Sequence, residues 1–164
     1  MDSLSAAELA VLSTALLAWW ARHGRGGIPW KLLPGGERPA PDQELDPYSI
    51  WIAEVMLQQT QLAVALPYWV RWMEVFPTIE VLAAASLDEV RLQWQGLGYY
   101  SRARRLHEAA QRLVGRSWPR TLEGWMALPG IGRTTAGSIL SSAFNAPLPI
   151  LDGNVKRVLA RLTA

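Results

Sequence analysis

The chain has 164 residues, half of them apolar and 18% charged, with nine Trp, no Cys and a formal net charge of +2. That length and apolar content suit one compact domain with a full core, which excludes a disordered segment; the absence of Cys excludes a disulfide scaffold and any thiolate-held zinc or iron–sulfur site within these residues. No apolar run reaches the roughly 18 residues of a membrane span, and residues 1–20 carry no basic residue ahead of their apolar stretch, so neither a membrane partner nor a signal peptide is predicted and a cytoplasmic protein is the default. Charge is unevenly placed: residues 1–100 hold 6 Lys/Arg against 11 Asp/Glu, and residues 101–164 hold 10 against 3. A basic half on a near-neutral chain is consistent with a polyanion-facing surface and equally with solvated helix faces.

In chain order, Ser3 to about Arg22 reads as a helix. Ser3 or Ser5 can cap it, Glu8 sits in an early turn, and Leu4, Ala7, Val11, Ala15 and Ala18 recur at helical spacing. The stretch from Ile28 to Pro47 is rich in Pro and contains Gly35-Gly36, so an exposed loop is predicted. Helices are then predicted over Tyr48–Thr60, over Gln61–Val75 with a bend at Pro67, after Thr78 to Ala84, and after Ser86 to Trp94. Gly96-Leu97-Gly98 breaks the chain before a helix over Tyr99–Val114. A short helix over Thr121–Ala127, a tight hairpin over Leu128–Gly132 and a helix over Arg133–Ala143 follow, and Asp152 starts a last helix. No alternating strand pattern appears, so the fold class is all-α.

Four groups of residues carry candidate chemistry. Leu128-Pro129-Gly130-Ile131-Gly132-Arg133-Thr134 puts Gly at alternate positions between two short helices, the pattern of a helix–hairpin–helix. Such a loop presents backbone N–H groups at a helix N-terminus, which suits a phosphate without reading sequence; an ordinary helix–turn–helix connection is the bland alternative. Glu54 stands among Ile50, Trp51, Ile52, Ala53, Val55 and Met56. An acid in that setting is either paired with a structural partner or, with its pKa raised by burial, a candidate general acid. Asp152 in Leu151-Asp152-Gly153-Asn154 is an ideal N-cap, and a carboxylate held by helix-terminal N–H groups stays ionised at neutral pH. Two carboxylates in opposed environments divide proton donation from cation stabilisation in glycoside-cleaving sites. Finally, Gln58-Gln59-Thr60-Gln61 and Gly96-Leu97-Gly98-Tyr99-Tyr100 place amides and aromatics on turns, where they could wedge into a base stack or simply pack.

Taken together, Ile28-Pro29-Trp30, Asp46-Pro47-Tyr48, Glu54 through Gln61, Gly96 through Arg105, Leu128 through Gly137 and Ile150 through Arg161 resemble the adenine DNA glycosylase (MutY) family of the helix–hairpin–helix base-excision superfamily. The likeness covers about residues 28–164. It implies a monofunctional hydrolase that removes adenine mispaired with 8-oxoguanine or guanine in double-stranded DNA, in a bacterial-type cytoplasm near the nucleoid. On that resemblance Glu54 would protonate the flipped-out adenine, Asp152 would stabilise the oxocarbenium-like sugar, and Asn154 would orient the site. Leu57, Gln59, Thr60 and Tyr99 would fill or probe the gap beside the opposite base, Gln58 would join them in binding DNA, and Trp30 would line the base pocket. The backbone of Gly130, Ile131 and Gly132, with Thr134, would hold phosphate, and a monovalent cation could sit on the hairpin backbone 128–132. The implied layout is a first helix (1–27) belonging to a second lobe, a loop (28–47), a six-helix-type lobe (48–151) with the hairpin motif near 121–143, and the start of the second lobe (152–164).

The competing branch resembles endonuclease III, a glycosylase/lyase on damaged pyrimidines that carries a Schiff-base lysine two residues after the hairpin's second Gly. Here that position is Thr134, and Lys31 and Lys156 are the only lysines in the chain. The loop from Lys31 to Leu45 is longer than the family pattern. The family's four-cysteine 4Fe–4S cluster would need a C-terminal cysteine segment that these residues lack, so no cofactor is predicted for the chain as it stands. The last helix runs through Val155, Val158, Leu159 and Leu162 without a polar tail, which reads as a truncated chain. An inactive DNA-binding fragment, self-associating through its exposed apolar helices, is the corresponding alternative.

Overall fold

The computed structural model describes residues 5–162, and every regular element among them is helical. The helices are α1 (Ala6–His23), α2 (Pro47–Leu57), α3 (Leu62–Val75), α4 (Ile79–Ala84), α5 (Leu87–Trp94), α6 (Ser101–Leu113), α7 (Leu122–Met126), α8 (Arg133–Phe144) and α9 (Gly153–Leu162), with a 3-10 turn at Pro29–Lys31. Starts are set by local capping. Ser5 with Glu8 and Ser86 with Glu89 form reciprocal capping boxes, and Thr78 and Thr121 cap α4 and α7. Ser3, the other candidate cap for α1, lies outside the described residues.

Two predicted boundaries move for one physical reason. The helix predicted to Thr60 stops at Leu57, and the one predicted from Tyr99 starts at Ser101. Gln59 (φ 57°) and Tyr99 (φ 48°) both take left-handed backbone, which neither helix can accommodate. By contrast α3 runs through Pro67.

The core is built around α2. Eight of its eleven residues are buried, so it is apolar on nearly every face and must be surrounded. It packs most extensively on α8, then on α3 and α6. Trp51 meets Trp118 and Trp125 at ring separations of 6.2 and 6.0 Å, and Trp72 meets Trp94 at 5.6 Å. Such edge and tilted aromatic pairs supply much of the buried area. The predicted exposed loop 28–47 is mostly exposed, yet it is anchored: Leu45 donates its N–H to the Ala143 carbonyl at 3.0 Å, Asn145 Nδ2 donates to Gln43 O at 3.2 Å, and Arg120 pairs with Glu44. Neither α1 nor α9 contributes a buried residue.

Candidate functional site

A cleft of about 1160 Å³ opens where the C-terminal half of α2, the loop after it, the first turns of α8 and the start of α9 converge. Glu54, Leu57, Gln58, Gln59, Thr60, Thr134, Asp152 and Asn154 all line it, so eight of the predicted site residues share one space. Asp46 creates the approach: its carboxylate accepts the Tyr48 and Ser49 N–H groups at 3.1 and 2.9 Å, capping α2, which starts at Pro47. Two helical turns later Glu54 faces the cleft from a helix otherwise sunk in the core.

Burial is the dominant influence on the Glu54 carboxyl and pushes its pKa above the usual glutamate range; a hydrogen bond from Ser138 and the nearby Lys31 cation pull it back in part. The group is therefore held closer to the protonated form than a surface glutamate is. Asp152 sits differently. It is half-buried and its Oδ1 accepts the Val155 N–H at 2.8 Å, the N-cap geometry expected for the first turn of α9. One carboxyl disposed to carry a proton and one carboxylate at a helix N-terminus thus line one cleft.

The contact between α2 and α8 is polar at this end. Glu54 meets Ser138, and four residues on, Gln58 Nε2 donates to Thr135 Oγ1 at 3.2 Å and lies 3.4 Å from the Gly130 carbonyl. Gln58 thereby joins the loop after α2 to the hairpin between α7 and α8. Gly130 takes φ +81°, and a Cβ there would lie 3.1 Å from Arg105 Cβ, so both the conformation and the space call for glycine. Gly132 caps α8 without a side chain, leaving the first-turn N–H groups without a side-chain acceptor. The Ile131 side chain is buried and its N–H turns onto the Leu128 carbonyl at 3.4 Å, a contact within the hairpin.

Five predicted residues lie off the cleft lining: Gly130, Ile131 and Gly132 of the hairpin beside it, and Trp30 and Tyr99. Trp30 is 3% exposed, packs on Trp69 at 5.2 Å, and borders a separate cavity of about 600 Å³ with Leu33, Asp46 and Met73. Trp30 thus packs beneath loop 28–47 at the edge of that cavity, and its neighbour Lys31 is the residue that acts on Glu54. Tyr99 is 62% exposed beside the Gly96–Gly98 turn.

Four residues with a part in the site were not singled out from sequence. Ser138 and Thr135 look like ordinary small polar residues of a helix until α8 is laid on α2. Lys156 is distant in sequence from the hairpin, yet it lines the cleft. Arg102 is buried on α6, at helical spacing from Leu106, Ala109 and Leu113, and an arginine in such an apolar row was the signal available. The chain holds no Cys, and no group of three or more His, Asp and Glu capable of holding a metal occurs among the described residues.

Comparison with known proteins places these features. Residues 52–164 match the family described as HhH-GPD superfamily base excision DNA repair protein. The chain is 45% identical over 164 residues to the adenine DNA glycosylase of Homo sapiens, covering 96% of this chain and 29% of that protein. It is 40% identical over 154 residues to the adenine DNA glycosylase of Buchnera aphidicola subsp. Baizongia pistaciae, covering 92% and 41%. It therefore spans well under half of either relative. Its backbone also resembles a solved non-covalent endonuclease III–DNA complex, with a TM-score of 0.75, 24% identity, and coverage of 98% of this chain and 70% of that one.

Proposed function

The chain belongs to the HhH-GPD superfamily of base excision DNA repair proteins, and from that premise we propose that it removes adenine from duplex DNA by hydrolysing the N-glycosidic bond of an adenine paired with 8-oxoguanine or guanine. The observation that carries this reading is the pairing of a burial-raised acid, Glu54, with the helix-capping carboxylate of Asp152 on one cleft beside the hairpin. Its substrate is drawn from the 45% identity to a protein named adenine DNA glycosylase.

In this mechanism the adenine leaves the base stack and enters the cleft, at an unstacking cost of a few kcal/mol. Glu54 gives its proton to a ring nitrogen of adenine, so the bond to the sugar breaks with its electron pair leaving on a neutral base. The Asp152 carboxylate faces the cationic sugar, Asn154 orients the site, and water adds at the sugar carbon with loss of a proton. The open N–H groups at the start of α8 and the hairpin around Gly130 and Gly132 bind a DNA phosphate without reading sequence. Leu57, Gln59, Thr60 and Tyr99 occupy the space left beside the opposite base.

The test is incubation of the chain with a duplex carrying adenine opposite 8-oxoguanine or guanine, reading free adenine and an alkali-labile site. The presence of Lys156 on the cleft favours one second reading, a lyase step in which its amine attacks the sugar carbon. Borohydride trapping of a protein–DNA adduct that disappears in Lys156→Met supports the lyase; release of adenine with no adduct supports hydrolysis.

A further inference from the structure

Arg102 carries a charge into the interior without an acid to meet it. The ion pairs among the described residues join Arg91 to Asp88, Arg112 to Glu108 and Arg120 to Glu44, and all of them are on the surface. The Arg102 guanidinium is met instead by oxygens of two separate segments. Its Nη1 lies 3.1, 2.8 and 2.7 Å from the carbonyls of Val55, Met56 and Gln58, and 3.2 Å from Thr60 Oγ1. Its Nη2 lies 3.2 Å from the carbonyls of Leu97 and Gly98. The first set ends α2 and begins the cleft-lining loop; the second forms the turn before Tyr99. The guanidinium carbon also sits 5.4 Å from the Tyr99 ring centroid.

We propose that Arg102 is a positioning residue that fixes the exposed Tyr99 turn to the cleft-lining loop Gln58–Thr60, so that the two wedges meet a duplex as one rigid edge. This rests on the reading of the chain as a DNA glycosylase. Three non-glycine residues of the described chain have left-handed backbone, and two of them, Gln59 and Tyr99, directly adjoin the carbonyls that Arg102 holds. Such conformations persist only where the surroundings over-determine them. A buried charge is a poor way to stabilise a core, which an apolar side chain would serve as well, but its planar fork can span two segments at once. A lysine offers one point of charge and cannot reach both.

Arg102→Lys in the 164-residue chain tests this. Amide exchange at Gln58, Thr60 and Leu97 is expected to quicken about tenfold while the amides of α8 keep their protection. Single-turnover excision of adenine opposite 8-oxoguanine is expected to fall about 10²-fold, with affinity for a fully matched duplex unchanged. Unchanged exchange in the two segments, protection lost evenly through α8, or wild-type excision with loosened loops overturns the assignment. Exchange needs no substrate, so a wild-type chain that leaves both mispairs intact defeats the glycosylase reading while the exchange result still decides the role of Arg102 in joining the loops. If Arg102→Lys does not fold, Thr60→Val removes one acceptor and is expected to quicken exchange at Gln58 and Leu97; wild-type exchange there overturns the proposal.

Discussion

Gln58 donates from Nε2 to Thr135 Oγ1 at 3.2 Å, and this bond ties the end of α2 to the start of α8. One turn deeper the same two helices bring Glu54 to Ser138. The rungs run antiparallel, so the proton-carrying group, the wedge loop and the hairpin are mounted on one pair of packed helices. A shift of α8 along α2 would disturb all three together.

The pH dependence of excision follows from the Glu54 environment. As a general acid Glu54 works protonated, so the single-turnover rate is expected to be highest at low pH and to fall as pH rises through its elevated pKa. The Ser138 hydrogen bond lowers that pKa, hence Ser138→Ala moves the fall to higher pH, and removing the charge of Lys31 acts in the same direction. A profile in Ser138→Ala that is unmoved or displaced to lower pH contradicts this.

Stability should carry the same signature. The folded pKa of Glu54 lies above the unfolded value of about 4.3, so its contribution to stability is complete below that value and is lost as pH rises through the folded pKa. Urea unfolding of wild type and Glu54→Gln is therefore expected to diverge as pH rises from 4 towards 7, with the variant gaining. Parallel curves across that window would show that Glu54 has no unfavourable burial to relieve.

Asp152→Asn separates charge from capping. Asn caps helices as well as Asp does, so α9 is expected to keep its start and the chain its affinity for duplex DNA. Loss of the carboxylate should nevertheless lower excision by a factor on the order of 10² or more. Full activity in Asp152→Asn would reduce Asp152 to its cap.

Gly130→Ala probes the hairpin. A left-handed alanine costs roughly 1–2 kcal/mol, and the added Cβ presses on the Arg105 side chain, so duplex affinity and melting temperature are both expected to drop. A calorimetric melt with a filter-binding titration reads both, and wild-type values in each would show that the hairpin tolerates other geometry.

Much of this organisation was legible because it is local. The caps at Ser5, Ser86 and Asp152 involve partners three residues away; those at Ser86 and Asp152 appear where they were predicted, and Ser5 is one of the two candidates named for α1. The all-α class follows from the same periodicity. What was not legible depends on packing between distant segments. The packing of Trp30 on Trp69 beneath loop 28–47 was not readable from its string. Arg102 gains its meaning only when the end of α2 and the 96–98 turn arrive on either side of it, and Lys156 only when the start of α9 and the first turns of α8 line one cleft. In each case the residue type was visible and its neighbours were not.

The most direct test of the whole account is a single-turnover assay of free adenine release from an 8-oxoguanine-paired duplex by the 164-residue chain and by its Glu54→Gln variant. The account predicts adenine release by the wild type and a loss on the order of 10²–10⁴-fold in the variant with duplex binding retained. Equal release by the two proteins would contradict the assignment of Glu54 as the acid, and with it the reading of the cleft.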